Sequence, residues 1–127
     1  MDIFEGDRHD PLSATYQTIE FARLNDVLKE CGINDMELRR KICETYFFSS
    51  GYFLDSGWFA EEDSRYQPGI YFSEVNDLNQ PTKSIFLPDS SVGTMFHEYA
   101  FGTSAWLYED HNEDASEIEI GDVNDTI

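Results

Sequence analysis

Apolar residues recur at helical spacing twice in the first third of the chain. Phe21, Leu24, Val27, Leu28 and Cys31 make one stripe, and Leu38, Ile42, Cys43 and Tyr46 make a second. Asp10-Pro11 reads as a helix cap followed by Pro at the first helical position, where a missing N–H costs nothing. Gly32 supplies the left-handed residue that ends a helix. Asn34 with Glu37 has the layout of a capping box and starts the second helix. A connection as short as Gly32-Ile33 implies a helical hairpin or a sharp corner.

Beyond Phe47 the pattern shortens. Tyr52-Phe53-Leu54 and Trp58-Phe59 flank the turn-forming Asp55-Ser56-Gly57, which predicts a hairpin unless the second helix runs on toward Leu54. Ile70-Tyr71-Phe72 and Ser84-Ile85-Phe86-Leu87 read as strands, joined by a polar connection from Asn76 to Pro81. Thr94 to Phe101 suits a short helix capped near Ser91, with Met95, Phe96 and Tyr99 inward. Thr103 to Tyr108 fits a strand nearly as well as a helix, and Ile118 and Ile120 alternate with Glu117 and Glu119 as in a half-exposed strand. The fold class that follows is α+β, an N-terminal helix pair packed on a small antiparallel sheet. Residues 1–109 form one globular domain in this reading. Residues 110–127 form an acidic C-terminal segment, with an edge strand offered at 117–123.

A length of 127 residues suits that single domain. Charge changes the picture more than length does. The chain has 26 acids against 8 Lys and Arg, a formal charge of -18, yet 40% of residues are hydrophobic and 15% aromatic. Disordered acidic chains lack that apolar content, so a folded core is expected. From Glu109 onward there are eight acids and no Lys or Arg, a block that stays solvated and, in this reading, separable from the fold. The longest apolar run, Ala105 to Tyr108, falls far short of the ~20 residues of a membrane span. Met1 to Leu12 has four acids and no apolar segment, unlike a secretory signal. The expected setting is cytoplasmic, with no membrane and no direct nucleic acid, since phosphate neutralisation needs clustered cations. Self-association is compatible with this composition.

Tested motifs mostly fail. His97-Glu98 opens a zinc-protease pattern, but Phe101 stands where the second His is needed. Asp110, Asn112 and Asp114 match the first ligands of a calcium loop, whose sixth and twelfth positions here are Ala115 and Gly121 rather than Gly and Glu. No phosphate-binding glycine loop and no nucleophile elbow is present. Cys31 and Cys43 match neither a zinc knuckle nor a redox pair, and read as free thiols buried as small hydrophobes. No cofactor and no metal are expected. Arg39-Arg40-Lys41, the only basic cluster, reads as solvated helix surface, or else as a receptor for the protein's own acidic end.

Aromatic residues are too numerous for a core this small, and acids stand beside them in Trp58-Phe59-Ala60-Glu61-Glu62-Asp63. The expected function is therefore a non-enzymatic acidic protein-binding module for a basic protein partner, of the inhibitor or immunity type. Its contact residues are Trp58, Phe59, Glu61, Glu62 and Asp63. The alternative is a small enzyme or ligand-binding domain with an aromatic-lined pocket and His97 and Glu98 as its polar pair. Mimicry of DNA by spaced carboxylates ranks third.

Overall fold

The computed structural model describes residues 2–4, 6–86, 96–122 and 124. The helical hairpin consists of α1 (Gly6–Glu30) and α2 (Met36–Ser56). α1 starts a turn earlier than Asp10-Pro11 indicates, so Pro11 lies inside it and forgoes one intrahelical bond. Gly32, at φ 89, ends α1 as expected, with the Ile33 N–H donating back to the Leu28 carbonyl at 3.0 Å. The cap of α2 is Asp35 rather than Asn34. Its carboxylate accepts from the N–H groups of Glu37 (3.0 Å) and Leu38 (3.3 Å) and places negative charge at the positive end of the helix dipole.

α2 continues through Leu54 to Ser56, so no hairpin forms around Asp55-Ser56-Gly57. The hairpin sits farther on, as β2 (Phe59–Glu61) and β3 (Ser64–Tyr66). A separate sheet has the order β1-β5-β4. β5 (Pro81–Phe86) pairs antiparallel with β4 (Phe72–Val75) and parallel with β1 (Asp2–Phe4). The parallel β1 has no periodic signal in three residues, and its addition makes the sheet mixed. β4 begins at Phe72, so Ile70 and Tyr71 precede the strand. The β4–β5 turn is organised by Asn76, whose side-chain oxygen accepts from the N–H groups of Leu78 and Gln80.

A 3₁₀ turn (Phe96–Glu98), α3 (Tyr99–Ser104) and a π-helical turn (Ala105–Asp110) follow, so Thr103 to Tyr108 is helical. Leu87, Ser91, Thr94 and Met95 lie outside the described residues. Residues 116–118 form a turn and 119–122 have no regular structure, so the edge strand offered at 117–123 is absent over 117–122, and Val123 lies outside the described residues. The arrangement is α+β. No helix among the described residues is long and apolar enough to cross a membrane.

The core joins Phe21, Cys43, Phe47, Ala100, Leu107 and Tyr108, with Phe21 stacked on Phe47 at 5.0 Å between centroids. Val27, Leu38 and Tyr46, counted in the apolar stripes, are instead exposed. α1 turns His9, Ser13, Gln17, Phe21 and Asn25 inward, a line at four-residue spacing of which only Phe21 is apolar. Each polar member has a partner. The His9 Nε2 donates to the Ile70 carbonyl (2.8 Å), and Gln17 donates to the Phe96 carbonyl (2.8 Å) and accepts from Thr103 (3.1 Å). α2 does the same with Arg39, Cys43, Phe47 and Gly51.

Arg39 corrects the solvated-surface reading of the basic cluster. It is 4% exposed and donates to Asn25 Oδ1 (3.0 Å), the Ile33 carbonyl (2.8 Å) and Glu113 (2.7 Å). Arg40 donates to Glu109 and Glu44. The cluster thus receives the protein's own acidic end, because desolvating a guanidinium is tolerable only when its donors are satisfied. Residues 110–115 are accordingly held against the fold, with Ala115 packed on the core. Cys43 is buried and free, whereas Cys31 is free but exposed, against the expectation that both thiols are buried.

Candidate functional site

The five residues singled out for partner contact come together on the β2–β3 hairpin. Both strands are exposed at all three positions, and neither pairs with the three-stranded sheet. An isolated two-stranded hairpin is marginal in water, so its own side chains must hold it. Phe59 and Tyr66 are register partners with ring centroids 5.8 Å apart, and the Arg65 guanidinium lies 4.4 Å from the Trp58 ring centroid. Trp58 nevertheless remains 52% exposed. Glu61 pairs with Ser64, which leaves Glu62 and Asp63 as the two loop residues at the tip.

Glu62 has φ 55, the left-handed backbone that Gly or Asn adopts with least strain. Replacing it by Asn should therefore raise the unfolding free energy by about 0.5–1 kcal/mol. Urea denaturation checks this, and a loss of stability would show that the Glu62 side chain makes a contact that outweighs the strain.

The protein's own acids have already claimed most of its cations. Arg8, Arg23, Lys29, Arg39, Arg40 and Lys83 each lie within 4.0 Å of a carboxylate of the chain. The Arg8 and Lys83 hydrogen bonds hold the Glu74 carboxyl below its ordinary range. Burial alone would raise Glu113, yet hydrogen bonds from Arg39 and Asn25, with the charges of Lys29 and Arg39, leave it lowered. Little positive charge is left to repel a cationic partner.

His97 and Glu98 are adjacent in sequence, with His97 Nε2 and a Glu98 carboxylate oxygen 4.0 Å apart. Asp55, near the end of α2, has a side chain 7% exposed. Its two oxygens accept from the backbone N–H groups of Phe96 (3.0 Å) and His97 (2.9 Å), and Oδ2 also accepts from His97 Nδ1. Asp55 therefore does for the 3₁₀ turn what a local cap does elsewhere. Phe48 and Tyr52 meet the imidazole edge-on at 5.4 and 5.3 Å. Glu98 lines an open cavity of about 440 Å³ between α1 and α3, with Thr15, Tyr99, Trp106 and Ile118. A second, of about 560 Å³, runs between α1 and α2 past Tyr16, Ile42 and Tyr46. His97 lines neither of these two cavities.

Sequence reasoning missed Asp55, which it took for a turn residue. No local signal marks it, because the groups it serves are more than 40 residues away. Among the described residues no three His, Cys, Asp or Glu side chains are grouped to hold a metal ion. The Cys43 thiol is pushed up by burial, which keeps it protonated and unreactive. Comparison of the chain with models of known protein families, with curated proteins and with solved structures found no match.

Proposed function

We propose that this protein is a non-enzymatic, acidic protein-binding module whose β2–β3 hairpin docks on a basic protein partner. The reading rests on one observation above all: a hairpin with no buried strand residue displays Trp58, Phe59 and Tyr66 beside Glu61, Glu62 and Asp63. Aromatic side chains bury a large area at low entropic cost, and surrounding carboxylates steer a cationic surface toward them. The formal charge of -18 acts in the same direction over the whole molecule. An inhibitor or immunity-type role is one form such a module takes.

The test is affinity capture from extracts of the source cell on the immobilised protein, at ~50 mM and ~300 mM salt, where screening lengths differ about twofold. Basic proteins are expected to be retained at low salt and largely released at the higher. The Trp58→Ala variant should bind the retained partner at least ~10-fold more weakly, the loss of roughly 1.4 kcal/mol. Recovery of no basic protein under either condition would sink the proposal.

A second reading, a small enzyme or ligand-binding domain, draws on the orientation of His97 by a buried carboxylate, an arrangement common to general bases. It predicts that a ligand protects His97 Nε2 from alkylation.

A further inference from the structure

The surface around His97 carries more than the hairpin reading uses. Phe48 and Tyr52 stand one turn apart on α2, and Phe101 of α3 meets Phe48 at 5.8 Å between centroids. With the imidazole between them they make one aromatic surface, of which Tyr52 and Phe101 are 57% and 58% exposed. A carboxylate accepts but cannot donate, so the Asp55–His97 hydrogen bond puts the proton on Nδ1. In the neutral imidazole this leaves Nε2 with a lone pair, and the Glu98 carboxylate lies 4.0 Å from it, itself exposed.

The groups present are thus three ring faces or edges, one oriented nitrogen acceptor and one exposed carboxylate. No donor of positive charge is among them. A planar cation with several N–H donors complements that set, since guanidinium stacks on aromatic rings while its edges donate to nitrogen and carboxylate. An ammonium matches it less well, being compact and strongly hydrated.

We propose that Phe48, Tyr52, Phe101, His97 and Glu98 form a second contact site that takes an arginine side chain of the basic partner. The guanidinium lies on the rings of Tyr52 and Phe101 and donates to His97 Nε2 and to Glu98. This rests on the protein-binding reading given above and adds to it a side-chain preference and a second anchor. Asp55 is a positioning residue here, acting through the imidazole it orients.

Titration of the isotope-labelled protein with a hexaarginine peptide, and separately with hexalysine, distinguishes this site from general attraction to an acidic surface. Hexaarginine should move the His97 imidazole resonances and those of Tyr52 and Phe101, and should bind about threefold or more tightly than hexalysine. Tyr52→Ser or Phe101→Ser should erase that preference, and both rings are exposed enough for the fold to tolerate the change. Trp58→Ala should leave it intact. Equal binding of the two peptides, or shifts confined to the hairpin, would overturn the arginine site while leaving the hairpin reading standing. No perturbation at either place by either peptide would count against both.

Discussion

An Arg39→Ala substitution is expected to lower the unfolding free energy by about 3–5 kcal/mol. Arg39 is almost wholly buried and satisfies three groups at once: the Asn25 side chain, the Ile33 carbonyl at the end of the α1–α2 connection, and Glu113. Its removal leaves Glu113 with Lys29 at 3.5 Å and Asn25 at 3.1 Å, and leaves Asn25 Oδ1 with Tyr108 alone. Three hydrogen bonds from a buried guanidinium are lost together, so the effect exceeds that of an ordinary surface ion pair. Denaturant unfolding at pH 7 measures it. A change below ~1 kcal/mol would place the pair with exposed salt bridges.

The same contact has a pH signature. The Glu113 carboxyl is lowered in the folded protein from its ordinary 4.5, so the folded state binds this proton less readily than the unfolded chain. Its stabilising contribution is therefore fully present above the ordinary carboxylate range and is lost as pH falls through the lowered folded value. Glu113→Gln should flatten that part of the stability profile below pH 4.5 while leaving the neutral form of the side chain able to accept from Arg39. A chain ending at Glu109 should lose stability too. The acidic end, separable by its charge pattern, contributes a half-buried carboxylate that pairs with the buried Arg39.

Gly51→Ala is expected to destabilise the protein by about 1 kcal/mol. A Cβ at this position would lie 2.8 Å from both the Cα and the N of His97 and 3.0 Å from the carbonyl carbon of Phe96. All three are backbone atoms, so no side-chain rotation relieves the clash, and α2 must separate from the 3₁₀ turn. Overpacking of this kind costs roughly 1–3 kcal/mol, against a gain of about 1 from replacing a mid-helix Gly. A backbone that yields this way also loosens the bonds from the Phe96 and His97 N–H groups to Asp55. A lower Tm, with amide shifts centred on residues 96 and 97, is the expected result. A rise in Tm would show that the close approach is not required.

The helix pair, the Gly32 end of α1 and the antiparallel β4–β5 pairing are legible in the sequence because their signals are local, whereas the N-terminal caps fall at other residues than Asp10 and Asn34. Gly32 ends α1 through its own backbone freedom, and Asp35 caps α2 with groups two and three residues away. The hairpin residues Trp58 to Asp63 are likewise contiguous, so their joint exposure needed no long-range contact to be anticipated. Even there the turn lies at Glu62-Asp63 and not at Asp55-Ser56-Gly57, since α2 holds Tyr52 to Leu54 in a helix that packs against the 3₁₀ turn and α3.

The inward face of α1 was decided only by tertiary structure. His9, Gln17 and Asn25 are polar, and periodicity assigns such positions to solvent. They are buried because their hydrogen-bond partners arrive from 61 to 88 residues farther along the chain. Arg39 and Asp55 follow the same logic, each drawn inward by distant groups that satisfy it. Hydrophobic patterning reports which side chains water expels. It is silent on polar groups, whose burial depends on whether a matching donor or acceptor is waiting in the fold.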